Sequence, residues 1–200
     1  AVKIGQISRK LLAEPVQQAE ICFHGSFLAT GKGHGTDRAL VAGLLGLAVD
    51  DENIPNSFAI AAERNLTFSI HGIDLGDAHP NTVKMKLTGE SGRTLEIVAA
   101  SIGGGQIRIC EIDGLTANFC GEYPTLIVHN LDQPGHVTEV TSMLAHKSVN
   151  IATMQLYRDS RGGNAVMVIE CDQEVPQEAI RWLEHLEGIE KVTYLSLEES

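Results

Sequence analysis

From residue 125 onward the hydrophobic period switches in a fixed order. A short apolar run at 125–129 precedes a 3.6-residue pattern over 135–147. Two alternating runs, 151–157 and 165–171, flank a turn at 159–163. A second helical pattern at 176–185 and a last strand at 192–197 close the set. The order is βαββαβ, the split-βαβ or ferredoxin-like arrangement. Val137, Val140, Met143 and Leu144 supply the apolar face of the first helix, and Ile180, Leu183 and Leu186 that of the second.

The first half has no such regularity. Val2, Ile4, Ile7, Leu11 and Leu12 predict a helix stopped by Pro15, and 21–27 reads as a strand. A glycine-rich loop at 29–37 then leads into a nearly all-apolar helix over 38–47. Gly43 and Gly46 inside it predict close packing against another backbone, because each costs about 1 kcal/mol against Ala. A helix from Ile54-Pro55 to Glu63, a strand at 66–70, a hairpin of 83–87 with 94–99 and a strand at 106–112 follow. Ser101-Ile-Gly-Gly-Gly105 is expected to interrupt the last two. The fold class is therefore α+β, an irregular α/β domain over 1–121 followed by a βαββαβ domain over 122–200.

Charge excludes some partners. Fifteen Lys and Arg against 26 Asp and Glu leave a net charge of −11, which argues against gripping nucleic-acid phosphates or an anionic membrane. No apolar run approaches the roughly 20 residues that span a bilayer. The four cysteines, at 22, 110, 120 and 171, form no short-spaced pair. They read as inert thiols of a reducing cytoplasm, not as metal ligands. The chain opens at Ala1 without Met, so a preceding segment is expected.

Two loops of the first half carry candidate chemistry. Gly31-Lys-Gly-His-Gly-Thr-Asp37 is not a P-loop, since no Gly-Lys-Ser/Thr follows, and it lacks the GxGxxG spacing. Its glycines instead clear space around His34 at a helix start, where an imidazole is free to act as a base. His79-Pro-Asn81 sets a second histidine in a polar loop. Two histidines without a third ligand at a telling spacing make a weak metal site. In the second half, Asn130-Leu-Asp-Gln-Pro-Gly135 turns into a helix start suited to a carboxylate. Asp132 either caps that helix or, with Asn130, takes an ammonium that Asn150 bridges.

The wording of that last loop, with Val149-Asn150-Ile151, resembles the ACT domain, a module that binds amino acids between paired copies. The likeness covers about 123–197 and is nearest to the serine-sensing ACT domain of phosphoglycerate dehydrogenase. It implies effector contacts at Asn130, Asp132, Gly135 and Asn150, with serine or another amino acid as effector.

Gly25-Ser-Phe, Thr30-Gly-Lys-Gly-His-Gly-Thr-Asp-Arg-Ala39, Asp51-Glu-Asn-Ile-Pro55, Ala78-His-Pro-Asn-Thr82 and Ser101-Ile-Gly-Gly-Gly105 occur in one order. In that combination the chain resembles the beta chain of iron–sulfur-dependent L-serine dehydratase. That lyase deaminates serine to pyruvate and ammonia, a step of amino-acid degradation and gluconeogenesis. The resemblance implies an allosteric-substrate-binding-like first domain packed on an alpha chain that holds the 4Fe-4S cluster. It also implies a heterodimer, inactive as beta chain alone, with the ACT domain associating with its copy. His34 and His79 match the family's histidines near the reaction, with Thr36, Asp37 and Asn81 as supporting contacts. The family's Ser-Ser-His-Thr segment belongs just upstream of Ala1, outside this sequence. The competing reading is a non-catalytic amino-acid sensor with an ACT domain.

Overall fold

The computed structural model describes residues 1–31 and 33–197, so Lys32 of the glycine-rich loop and residues 198–200 of the second expected domain lie outside the described residues. The chain divides into two compact units, Ala1–Gly114 and Leu115–Ser200. Among the described residues no helix is long and apolar enough to cross a membrane.

In the first unit, helix α1 (Val2–Leu12) buries Ile4, Ile7, Leu11 and Leu12 and ends where Ala13 turns left-handed. Strand β1 (Val16–Phe23) follows. It starts earlier than 21–27 predicts and stops sooner, because Gly25–Thr30 forms a short helix, α2. Gly25 has φ +55°, and a Cβ there would stand 2.6 Å from the Pro80 carbonyl oxygen, so only glycine lets the chain turn at that point. Helix α3 (Thr36–Leu44) is next. A 3₁₀ turn (Ile54–Asn56) and helix α4 (Ser57–Glu63) complete the helical stretch.

Four more strands build the sheet: β2 (Thr67–Gly72), β3 (Thr82–Gly89), β4 (Thr94–Gly103) and β5 (Gln106–Ile112). Their hydrogen-bonded order is β2-β1-β3-β4-β5, with β1 and β2 parallel and the other pairs antiparallel. Period-two alternation buries Val83, Met85 and Leu87 of β3. Ser101-Ile-Gly103 does not interrupt β4 but continues it. The turn is Gly104-Gly105, both at positive φ (61° and 77°), as a two-residue hairpin loop requires.

Helix α1 crosses α3 through two glycines. A Cβ on Gly43 would lie 2.1 Å from the Val2 carbonyl oxygen, and one on Gly5 2.4 Å from that of Leu40. The close backbone approach expected at Gly43 is therefore present. Gly46 serves differently: it follows α3 with φ +82° and faces the Arg9 guanidinium.

The second unit opens with a strand the sequence pattern did not announce, β6 (Leu115–Phe119). Then come β7 (Thr125–Leu131), helix α5 (His136–His146), β8 (Ile151–Arg158), β9 (Asn164–Cys171), helix α6 (Gln177–Glu184) and β10 (Ile189–Leu195). The βαββαβ order forms an antiparallel sheet, β10-β7-β9-β8. Its core joins Leu126, Val128, Met167 and Ile169 to Val140, Leu144, Ile180 and Leu183 of the helices. Val137, expected on that apolar face, is 40% exposed.

Candidate functional site

In the first unit the end of β1 meets the turn before β3. The His24 N–H donates to the Thr82 carbonyl (3.0 Å), and the Phe27 N–H to that of Pro80 (3.4 Å). On the far side, the Ser101 N–H donates to the Asn81 carbonyl (2.9 Å). The loop is also tied internally, as Thr82 Oγ1 donates to the His79 carbonyl (2.6 Å). Three sequence motifs far apart in the chain, Gly25-Ser-Phe27, His79-Pro-Asn81 and Ser101-Ile-Gly103, are thus held together by backbone hydrogen bonds.

His24, which the motif reading passed over, sits inside this corner. It is 9% exposed, and its Nδ1 accepts from the Leu75 N–H (3.1 Å), with the Asp74 carboxylate 4.0 Å from the same nitrogen. Its signal in the sequence was only adjacency to Gly25. His79 is exposed, and its Nδ1 accepts from the Asn81 N–H (3.1 Å).

His34 lies in the turn between α2 and α3, exposed, with its N–H donating to the Thr30 carbonyl (3.2 Å). Thr36 opens α3, its N–H on the Gly31 carbonyl (2.8 Å). Asp37 occupies the first turn of α3, where a carboxylate suits the helix dipole, and it accepts from the Arg38 N–H (2.8 Å). Arg38 in turn lies 4.7 Å over the Phe58 ring, and Ser57 Oγ donates to its carbonyl (2.9 Å). Those contacts fix the start of α3. Among the described residues no hydrogen bond joins His34 to His79.

In the second unit Asp132 does not cap α5, whose N-cap is Gly135 with φ 106° and no side-chain cap bond. Its Oδ2 instead accepts from the Gly162 N–H (2.9 Å) and Arg158 Nη1 (2.9 Å). The Gly162 N–H first, and then Arg158, hold this carboxyl below its usual value. Asn130 is buried; its Nδ2 donates to the Leu131 carbonyl (2.6 Å), and its Oδ1 has no hydrogen-bond partner among the described residues. Asn150 is exposed and donates to Asp172 (2.6 Å).

Strands β7 and β8 both run antiparallel to β9, so they point the same way. Asp132 follows the end of β7 and Asn150 precedes the start of β8, which puts them at opposite ends of the sheet, roughly 20 Å apart. One chain does not bring them onto one amino acid. His136, also unannounced by the sequence, is buried at the start of α5, with Nδ1 3.0 Å from Glu139 Oε2.

The donor set does not fit an iron–sulfur cluster. Cluster ligands are thiolates, and burial pushes each of the four thiols above its ordinary value, Cys171 to about 11. Among the described residues no three His, Cys, Asp or Glu side chains group to hold a metal.

Residues 4–72 match the family described as serine dehydratase beta chain. Over 196 residues the chain is 35% identical to a probable L-serine dehydratase beta chain of Bacillus subtilis, covering 98% of this chain and 89% of that one. It is 34% identical to an L-serine dehydratase beta chain of Peptoniphilus asaccharolyticus, covering 88% and 80%. A D-3-phosphoglycerate dehydrogenase of Bacillus subtilis is 30% identical over 98% of this chain, which spans 37% of that enzyme. The chain belongs to the L-serine dehydratase beta-chain family.

Proposed function

We propose that this chain is the beta subunit of an iron–sulfur L-serine dehydratase of the cytoplasm and supports deamination of L-serine to pyruvate and ammonia together with an alpha chain. The observation that carries this reading is the match along 98% of the chain to a beta chain of that name. Residues 1–121 are the domain that packs on the alpha chain, and 122–200 the ACT domain.

The cluster belongs to the alpha chain; among the described residues of this chain no three metal-ligating side chains group together to hold one. When bound there it supplies a Lewis acid for the leaving hydroxyl. This chain contributes polar groups. His34, between glycines in an exposed turn, takes or orients a proton, while Thr36 and Asp37 fix the turn behind it. His79 and Asn81 face the reaction from the tied loop. None of these groups replaces the Lewis acid, so the beta chain alone is inactive.

The ACT domain takes serine or another amino acid at the Asn130–Gly135 loop. An effector held by Asp132 and Asn150 together requires two copies, with Asn150 coming from the second. Self-association is thus part of the effector site.

The test is anaerobic mixing of purified beta chain with its alpha chain, with pyruvate from serine as the readout. A large gain over either chain alone is expected. No gain over alpha alone overturns the proposal.

A further inference from the structure

His24 and His79, at one corner of the first unit, each have a ring nitrogen already committed. A backbone N–H always donates, so a ring nitrogen that accepts from it carries no proton. Leu75 N–H to His24 Nδ1 and Asn81 N–H to His79 Nδ1, both 3.1 Å, therefore assign the proton of each neutral ring to Nε2. His24 is buried and consumed in fixing the loop. His79 is exposed, so its Nε2–H remains available. The Asn81 amide is not free to swing away, because the Pro80 carbonyl of the same peptide accepts from the Phe27 N–H and the Asn81 carbonyl that follows accepts from the Ser101 N–H.

We infer that His79 serves the site as an Nε2–H hydrogen-bond donor to an anionic oxygen, the carboxylate of an α-amino acid, and not as the base that removes a proton. A base needs an open lone pair, and the one on neutral His79 is filled by Asn81 N–H. The identity of the acid rests on the proposed function; the tautomer does not.

Two measurements test this. Long-range ¹H–¹⁵N correlation of the labelled beta chain, assigned with His79→Gln, is expected to show the neutral His79 ring protonated at Nε2. A ring protonated at Nδ1 overturns the inference. In the alpha–beta complex, His79→Gln keeps an N–H near Nε2 and is expected to retain kcat within about tenfold, whereas His79→Leu loses mainly in KM. An equal fall of kcat in both variants, in the ~10²–10⁴-fold range that loss of a general base brings, overturns it. Absence of serine turnover by the wild-type complex overturns the proposed function instead, and the ring spectrum then decides the donor assignment alone.

Discussion

Arg158 closes onto Asp132, its Nη1 2.9 Å from Oδ2, and so latches the β8–β9 turn to the loop before α5. The Gly162 N–H shares the same oxygen. Both bonds are strongest to the ionised carboxylate, which the fold favours by lowering its pKa. The latch is therefore complete above the unfolded Asp value of about 3.9 and is lost as pH falls through the lower folded value. The Gly162 amide shift, followed through an acid titration, is expected to move with Asp132 below the ordinary carboxylate range. Arg158→Met removes only the second cause, so the midpoint should rise part of the way toward 3.9. A midpoint at the ordinary value in the wild type refutes the latch.

The same contact sets the terms for an effector. An ammonium docking on Asp132 Oδ2 competes with the Arg158 guanidinium, a charge already in place. Arg158→Met is thus expected to tighten serine binding several-fold by calorimetry, and Asp132→Ala and Asn150→Ala to weaken it. Undetectable binding by wild type and Arg158→Met alike up to millimolar serine removes the effector role.

Gly43→Ala sets two effects against each other. At an ordinary helix site it stabilises by about 1 kcal/mol. Here the new Cβ would stand 2.1 Å from the Val2 carbonyl oxygen and 2.9 Å from the Gly5 Cα. Overpacking costs about 1–3 kcal/mol, and backbone atoms on both sides leave nothing flexible to yield. The net expectation is a loss of up to about 2 kcal/mol, seen as a lower urea midpoint at constant slope. A stabilised variant would mean that α1 and α3 do not cross at these glycines.

What the sequence disclosed follows the range of the interactions. The βαββαβ unit was legible because each element buries its own periodic face, as Val140 with Leu144 and Ile180 with Leu183 do. Gly43 was legible because glycine in an apolar helix is costly without a close neighbour. Helix α2 was not, because its start depends on Gly25 meeting Pro80, 55 residues away in the chain. Short β6 likewise gave no pattern long enough to read. At the site, Asp132 and His79 were identifiable as types. Their partners were not: Arg158 and Gly162 approach Asp132 from 26 and 30 residues away. The opposite-end placement of Asp132 and Asn150 follows only from strand order, so the bridging role within one chain was not excluded by motif alone.

Tyr194 ties the segment after β9 to β10. Its hydroxyl accepts from the Val175 N–H (2.8 Å) and donates to Glu174. Burial first, then Glu174, pushes the phenol well above its ordinary value of about 10. A raised acid is stabilising while neutral, so its contribution is present below pH 10 and lost as pH rises through the folded value. In a Tyr123→Phe, Tyr157→Phe background, absorbance at alkaline pH should show no phenolate until the unit unfolds. Tyr194→Phe leaves the buried Val175 N–H without its acceptor, and about 1–2 kcal/mol of stability should go with it. Early ionisation of Tyr194 contradicts this account.

His34→Ala separates chemistry from folding. The side chain is exposed, and the bonds that shape its turn, His34 N–H to the Thr30 carbonyl and Thr36 N–H to the Gly31 carbonyl, are backbone bonds. The variant should therefore fold with an unchanged melting temperature and still join the alpha chain. A proton-transferring group normally contributes ~10²–10⁴-fold, so kcat for pyruvate formation should fall by that factor while the complex stays intact. Co-elution of the two chains, measured beside turnover, is expected to match that of the wild type. Full turnover by an assembled His34→Ala complex removes His34 from the reaction and leaves His79, a donor, without a base on this subunit.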